Sequence, residues 1–493
     1  MTDGFQVPLI IRGEVIDGED EFAGRRNDAR FFGPDVAEFR LRLPLQSPRL
    51  MADLYEIGFD AIADFLGRLG ERLDFENNRY LRDAYELSRL TSGLSDSILI
   101  AQYRNLPNLF ARERIFEAAE NSVGLAYLED WVEQEMAPES PTSVRVRAFG
   151  SRAVHIIAGN SPIVSALTVI RNAITRSDAI IKTPSNDPLT AVALARTMID
   201  LDPAHPITRH LSVAYWKGGD ERVEDTLYDP RHVEKIVAWG GFASVKHITR
   251  YLQPGIDLIT LDPKHSATII GEDAFQDEET LQAVADRLAL DVGRLNQEAC
   301  NNARVIYVEC GTDGAGLAKA RRLGELAFAS MQKLPSELST AHKDFDRRLK
   351  EEIDALRMSG TDFTVFGGRA NEGAFIISPS DEPVDFATML ACRVGNIVPV
   401  DDIETAVRFT NAYTQTIGVF PEGLKDALRD RLAFQGAQRI VSLGAAIPLM
   451  GRSGPQDGIE PVRRMCKWIT DETSDNDILV SIARSAPLEG AGA

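Results

Sequence analysis

Apolar and polar positions along this chain repeat with two periods, and the period changes with position. Val7-Pro8-Leu9-Ile10-Ile11 reads as a short strand before a charged stretch, so residues 1 to about 50 are mixed. Residues 51–135 read as helices. Leu54, Ile57, Ile62, Phe65 and Leu69, for example, fall near the 3.6-residue repeat that lines one helix face. Ala137-Pro138-Glu139-Ser140-Pro141-Thr142 breaks the pattern as a loop, and residues 143–149 then alternate as a strand.

From about 150 the texture changes. Residues 153–158 lead through Gly159-Asn160-Ser161-Pro162 into an apolar helix over 163–173. Ala179-Ile180-Ile181 leads through Lys182-Thr183-Pro184-Ser185-Asn186-Asp187 into a helix from Pro188. Residues 211–216 lead through Lys217-Gly218-Gly219-Asp220 into another helix, and residues 235–239 through Gly240-Gly241 into a helix over 242–251. Such units in succession predict a parallel sheet with helical crossovers. A second α/β pattern predicts strands near 267–270, 305–308, 373–378 and 416–420. Its helices fall near 279–294, 314–333, 342–357, 403–412 and 422–434. Gly444-Ala445-Ala446 opens a C-terminal segment whose last residues, 485–493, are small or polar and read as disordered. The chain has no internal repeat and no long low-complexity segment.

Its 493 residues give room for roughly two to four domains. A net charge of −20 argues against general nucleic-acid binding, which needs clustered Lys and Arg, but leaves room for a local basic pocket. The four cysteines (Cys300, Cys310, Cys392, Cys466) show neither a CxxC pair nor a zinc-ligand spacing. They predict free thiols in a reducing compartment and no metal site. The N-terminus lacks the marks of a signal peptide, and no apolar run approaches the roughly 20 residues of a membrane span. The expected location is the cytoplasm.

The stretch with the clearest chemistry is Leu295-Asn296-Gln297-Glu298-Ala299-Cys300-Asn301-Asn302-Ala303-Arg304. It follows a helical pattern over 279–294 with apolar residues at Leu281, Val284, Leu288 and Leu290, and precedes the apolar strand Val305-Ile306-Tyr307-Val308. A cysteine at such a junction, among amides and beside the Arg304 charge, is a candidate nucleophile, since positive charge and N–H groups stabilise a thiolate. A loop cysteine without chemistry fits the local sequence as well. Parallel sheets bind ligands at the carboxyl ends of their strands, which puts Gly159-Asn160, Lys182 to Ser185 and Gly240-Gly241 on one rim. Singly, each is ordinary turn chemistry.

The spaced set Asn160, Lys182-x-x-Ser185-x-x-Pro188-Leu189-Thr190, Gly240-Gly241 and Asn296-Gln297-x-x-Cys300 resembles the aldehyde dehydrogenase superfamily. Gly395-Asn396-Ile397-Val398-Pro399-Val400, Glu404-Thr405-Ala406 and Gln415-Thr416-Ile417-Gly418-Val419-Phe420 continue the match. Within it the chain looks like the acyl-CoA reductases of the bioluminescence fatty-acid reductase (LuxC) type. That closer match lies in His155-Ile156-Ile157-Ala158-Gly159-Asn160-Ser161-Pro162 and in Asp457-Gly458-Ile459-x-Pro461 to Trp468. The resemblance runs from about 140 to 475. It implies an α/β, aldehyde dehydrogenase-like fold: a mostly helical region over 1–135, a Rossmann-type cofactor domain over 136–260, a catalytic domain over 261–442, and a C-terminal segment over 443–493, with a small oligomerisation element.

The same resemblance implies that Cys300 forms an acyl-enzyme and that Asn160 holds the oxyanion. Lys182 would bind the adenosine ribose, and Gly240 and Gly241 would admit the pyrophosphate. Ser185 stands where NAD-preferring members often carry a glutamate, which favours NADPH because a carboxylate would repel the 2′-phosphate. Hydrolytic members place a general base where this chain has Leu261, which favours reduction of an acyl thioester over oxidation of an aldehyde. Asp262 could stand in for that base after a register shift, and His265 is a weaker candidate for proton transfer. Cys392 aligns near a glutamate that touches the nicotinamide ribose in relatives, and Gln456 replaces a histidine. Cys310, Cys466 and His155 read as structural, and Arg463, Arg464 and Lys467 as a solvated helix face with CoA phosphates as the alternative. The substrate would be a CoA thioester or an acyl group delivered by a carrier protein or a synthetase partner. A homo-oligomer would form through an edge strand, with residues 143–149 as the candidate. The alternatives are a hydrolytic aldehyde dehydrogenase and a scaffold that has lost catalysis.

Overall fold

The strand–turn–helix repeats fold into one sheet because their short Ala/Ile/Val runs are apolar on both faces and need helices on each side. The computed structural model describes residues 4–24, 29–137, 140, 142–262, 264–358, 362–448 and 454–485. Three expectations touch residues outside that set: Pro138, Glu139 and Pro141 of the predicted loop, Pro263 near the missing base, and the predicted tail over 486–493.

In this first sheet Asp257–Leu261, Lys235–Trp239, Arg152–Ile156, Asp178–Lys182 and Leu211–Ala214 lie side by side and parallel. Leu9–Ile11 then adds antiparallel to Leu211–Ala214, and Glu14–Ile16 forms the outer edge. The N-terminal residues thus complete the sheet that begins again at Arg152. Helices Ile163–Ile174 and Thr190–Leu201 pack on one face. The apolar stripe read from the sequence continues that layer: Leu54, Ile62, Phe65 and Leu69 are buried in one cluster with Ile181 and Val213 of the sheet.

The second sheet runs Thr364–Gly367, Ala374–Ile377, Val394–Val400, Ala303–Glu309, His265–Ile270, Thr414–Phe420, Arg439–Ser442. All pairs are parallel except the first. Val394–Val400 is missing from the expected strands although every residue in it is buried. Its Gly395 and Pro399 speak against a central strand. Pro399 is accommodated because it lies beyond the end of the neighbouring Ala374–Ile377 strand, so its missing N–H breaks no pairing there. Residues 342–346 are also not helical; Asp346 accepts from Leu349 N at 2.9 Å and caps a helix that starts at Arg347.

A third sheet corrects one expectation. Thr142–Phe149 is not a free edge: it pairs along its whole length with Lys467–Ser474 and, on its other side, with Val132–Glu133. The outer edge is Lys467–Ser474, a largely exposed and polar strand without a clear hydrophobic alternation. Among the described residues no helix is long and apolar enough to cross a membrane.

Candidate active site

The amide-rich turn before Cys300 is built by its own amides. Helix Glu278–Gly293 ends, and Leu295, Asn296 and Gln297 follow with φ of 52°, 51° and 64°. Left-handed non-glycine residues cost of order 1–3 kcal/mol each, so something must hold them. Asn296 accepts from Thr340 N (2.8 Å) and donates to Thr340 Oγ1 (3.2 Å). Gln297 accepts from Val394 N (2.8 Å) and donates to Val394 O (2.9 Å) and Ala303 O (2.8 Å). Asn302 donates to the carbonyls of Asp291 and Arg294, both at 3.0 Å. The Asn-Gln pair of the motif therefore clamps the loop, leaving Cys300 presented at its tip.

The thiol of Cys300 donates to Asn301 Oδ1 at 3.3 Å, and Gln415 Nε2 donates to its sulfur at 3.2 Å. The same nitrogen donates to Asp457 Oδ1 at 2.6 Å. The loop behind is pinned by Ser266 Oγ, which donates to Cys300 O at 2.8 Å. Burial pushes the thiol above its ordinary pKa and the Asp457 carboxylate adds to this, while the Gln415 hydrogen bond and the Arg304 charge oppose it. The surroundings thus favour the thiol form, and the Arg304 charge does not offset burial.

Cys300 and Asn160 line one cavity of about 250 Å³ with apolar walls that include Leu109, Ile163, Val164, Trp239, Leu295 and Ile447. Asn160 arrives from the end of the Arg152–Ile156 strand, where a Cβ on Gly159 would fall 2.3 Å from Asn186 Oδ1. A larger residue there would have to displace the Asn186 and Pro184 side chains. Asn160 Nδ2 donates to Glu298 O at 3.2 Å, two residues before the cysteine, and its Oδ1 has no partner among the described residues.

The rim residues also lie as the sequence suggests. Lys182 ends its strand with Nζ 5.6 Å from the Trp216 ring centre, and burial lowers its pKa to about 8 against the pull of Glu224. Ser185 follows on the adjoining loop, half-buried. Gly240 and Gly241 lead from Lys235–Trp239 into helix Phe242–Thr249, and a Cβ on Gly241 would meet nothing within 4 Å. Trp239, next to Gly240, is a wall of the Cys300 cavity, so rim and cavity adjoin.

Leu261 is buried in its strand. Neither Asp262 nor His265 lines the Cys300 cavity; His265 borders a separate cleft of about 430 Å³ with Tyr307 and Phe409. Cys392 is buried with φ 57°. Burial pushes the Cys310 and Cys466 thiols up to about 12. The cationic face stays partly exposed, as expected, and its charges are also paired: Arg464 with Asp257, Lys467 with Glu234, and Arg463 over the Trp468 ring. In the sequence Gln415 and Asp457 figure only as motif letters; nothing there shows that Gln415 meets the cysteine and Asp457 meets Gln415. The visible signal was the Asp457-Gly458 pair, a turn that closes with Asp457 at φ 54°.

The chain matches the family described as acyl-CoA reductase (LuxC) over residues 54–468. It belongs to the acyl-CoA reductase (LuxC) family. As a member it is an enzyme that reduces an acyl thioester to an aldehyde. Among the relatives of this LuxC-type reductase is the long-chain acyl-protein thioester reductase of Photorhabdus laumondii subsp. laumondii, 29% identical over 445 residues, covering 87% of this chain and 86% of the relative. The protein of the same description from Aliivibrio fischeri is 26% identical over 494 residues, covering 98% and 97%. Solved structures share the fold at low identity. Lactaldehyde dehydrogenase from Escherichia coli aligns with a TM-score of 0.70 and 14% identity over 96% of this chain and 100% of its own. NADP-dependent glyceraldehyde-3-phosphate dehydrogenase from Bacillus halodurans C-125 aligns at 0.71 and 12% over 95% and 99%. The LuxC-type chain therefore has an α/β, aldehyde dehydrogenase-like fold.

Proposed function

We propose that this reductase uses NADPH and carries the acyl group on Cys300, with Asn160 holding the oxyanion. The observation that carries the reading is the single apolar-walled cavity that holds Cys300 and Asn160 and borders the Gly240-Gly241 rim at Trp239. Cys300 attacks the thioester carbonyl, and the donor thiol leaves. Asn160 Nδ2 turns from Glu298 O to the developing oxyanion, a donor worth roughly 3–4 kcal/mol of barrier.

A dinucleotide fits the rim on two observations. Lys182 Nζ forms no hydrogen bond among the described residues and stands over the aromatic Trp216. Gly241 leaves open space at the N-terminus of helix Phe242–Thr249, where backbone N–H groups favour a pyrophosphate. Bound there, NADPH supplies the hydride. Ser185 supports the phosphorylated cofactor, as does Lys217, an exposed cation on the loop after the neighbouring Leu211–Ala214 strand. Leu261 offers no base to activate water, which favours reduction over hydrolysis.

The apolar walls suit an aliphatic acyl chain. The donor is acyl-CoA or an acyl group on a carrier or synthetase protein, a choice for which the names of the curated relatives favour a protein. The four free cysteines support work in a reducing compartment, the cytoplasm. We read 136–260 as the cofactor part and 261–442 as the catalytic part of a chain that acts as a homo-oligomer. The test is to mix the protein with NADPH and a panel of acyl-CoA esters and follow NADPH absorbance and aldehyde. Consumption that disappears in Cys300→Ala, with an acyl adduct on Cys300 by mass spectrometry, is expected. Reduction of NADP by free aldehyde with acid as the product and no thiol acceptor would point to the hydrolytic alternative.

A further inference from the structure

We propose that Gln415 is a catalytic residue and Asp457 its positioning residue: the Gln415 amide donates to the nucleophilic sulfur while the Asp457 carboxylate aims it. The proposal rests on Cys300 carrying the acyl group. Gln415 Nε2 has two hydrogens, and the geometry uses both, one toward Cys300 Sγ at 3.2 Å and one toward Asp457 Oδ1 at 2.6 Å. Gln415 is 3% exposed, so water does not compete for the amide. Its strand, Thr414–Phe420, is fastened to the nucleophile loop through Ser266, whose Oγ accepts from Thr416 N at 3.2 Å and donates to Cys300 O.

Asp457 is placed with equal care. Gln456 and Ile459 exchange backbone hydrogen bonds of 2.8 and 3.1 Å, and Asp457 sits inside that turn in the left-handed region. Asp-Gly is the favoured pair where both central residues of a turn take positive φ, here 54° and 75°, so the turn itself fixes where the carboxylate stands. Arg171 Nη2, from helix Ile163–Ile174, donates to Gln456 Oε1 at 2.6 Å and braces the turn. The charged groups that act on this cluster are Arg304 beside Cys300, and Arg171, Lys264 and Asp262 around Asp457.

Sulfur becomes anionic twice in the reaction. In acylation the thiol loses its proton, the sulfur–carbon bond forms, the donor's carbon–sulfur bond breaks, and the donor leaves as a thiol with that proton. After a reduced nicotinamide dinucleotide has reduced the acyl carbon, the Cys300 carbon–sulfur bond breaks, the electron pair returns to Sγ and a solvent proton restores the thiol. A neutral N–H donor stabilises sulfur at both moments. The carboxylate behind it keeps the resting sulfur protonated by like-charge repulsion.

The two residues therefore act on the thiol in opposite directions, which a purely structural role would not do. The test follows alkylation of Cys300 by iodoacetamide against pH, read by mass spectrometry of its peptide, with the melting temperature of each variant as a folding control. Gln415→Met removes the donor; the midpoint should rise and alkylation near pH 7.5 fall about tenfold. Asp457→Asn still accepts from the amide but has no charge; the midpoint should fall by about one unit. Midpoints that move together, or that both stay, overturn the proposal. If Gln415→Met does not fold, Gln415→Asn, too short to reach the sulfur, carries the same expectation. The titration needs no substrate, so its failure leaves the reductase reading intact, whereas failure of wild-type Cys300 to acylate defeats that reading and leaves the titration standing.

Discussion

His342 Nε2 donates to Glu298 Oε1 at 2.8 Å, joining a buried loop histidine to the residue two positions before Cys300. Asp344 N lies 3.1 Å from the other ring nitrogen, Nδ1. Glu298 O also receives Asn160 Nδ2. One residue thus connects His342 to Asn160, the proposed oxyanion donor.

Replacing His342 should therefore disturb positioning more than binding. His342→Leu is expected to lower kcat about tenfold, the scale of one lost hydrogen bond to a charged group, with KM little changed. His342→Gln, which keeps a donor, should recover most of the rate. Steady-state kinetics on the three proteins checks this, and equal losses in both variants would argue against a hydrogen-bond role.

Asn160→Ala should cost roughly 100–1,000-fold in kcat if its amide holds the oxyanion. Cys300 should still be alkylated at close to the wild-type rate, because Asn160 touches Glu298 O and no atom of the sulfur's own hydrogen bonds. Comparing the two rates in one preparation separates loss of the oxyanion donor from collapse of the loop.

Ser185→Glu should change the cofactor rather than the chemistry. A carboxylate beside the ribose repels a 2′-phosphate, and at an effective dielectric near 20 this amounts to a few kcal/mol at close range. KM for NADPH is expected to rise at least tenfold while that for NADH changes less. Initial rates with both dinucleotides decide it; a parallel change would remove Ser185 from the 2′-position.

His155 should set part of the acid sensitivity. Burial lowers its pKa to about 4 from 6.5, with the Asn172 side chain opposing and the Arg171 charge adding, and Nε2 has no partner among the described residues. A depressed histidine contributes stability that is present above pH 6.5 and is lost as pH falls through about 4. The full effect is about 3 kcal/mol. In urea titrations at pH 7, 5.5 and 4.5, wild type should lose stability relative to His155→Leu as the pH drops. Parallel profiles would show that His155 does not titrate within this window.

Much of the fold was legible because a strand buried on both faces must be apolar throughout and its turn must be small or polar. The four repeats from Arg152 to Trp239 have that form, and the helical spacing of Leu54, Ile62, Phe65 and Leu69 marks a buried face. Asn160 and the Gly240-Gly241 turn stand at strand ends, where chain direction puts them on one rim, but singly they and Cys300 read as ordinary turn residues; their roles came from the resemblance to the aldehyde dehydrogenase superfamily and remain proposals. Tertiary structure alone decided the pairings across long separations. Leu9–Ile11 entered a sheet begun at Arg152, Lys467–Ser474 covered Thr142–Phe149, and Val394–Val400 became central despite its Gly and Pro. It alone also decided that Gln415 meets both Cys300 and Asp457 and that His342 meets Glu298. Periodicity reports whether a position is buried; it carries no record of which distant polar group will be buried against it.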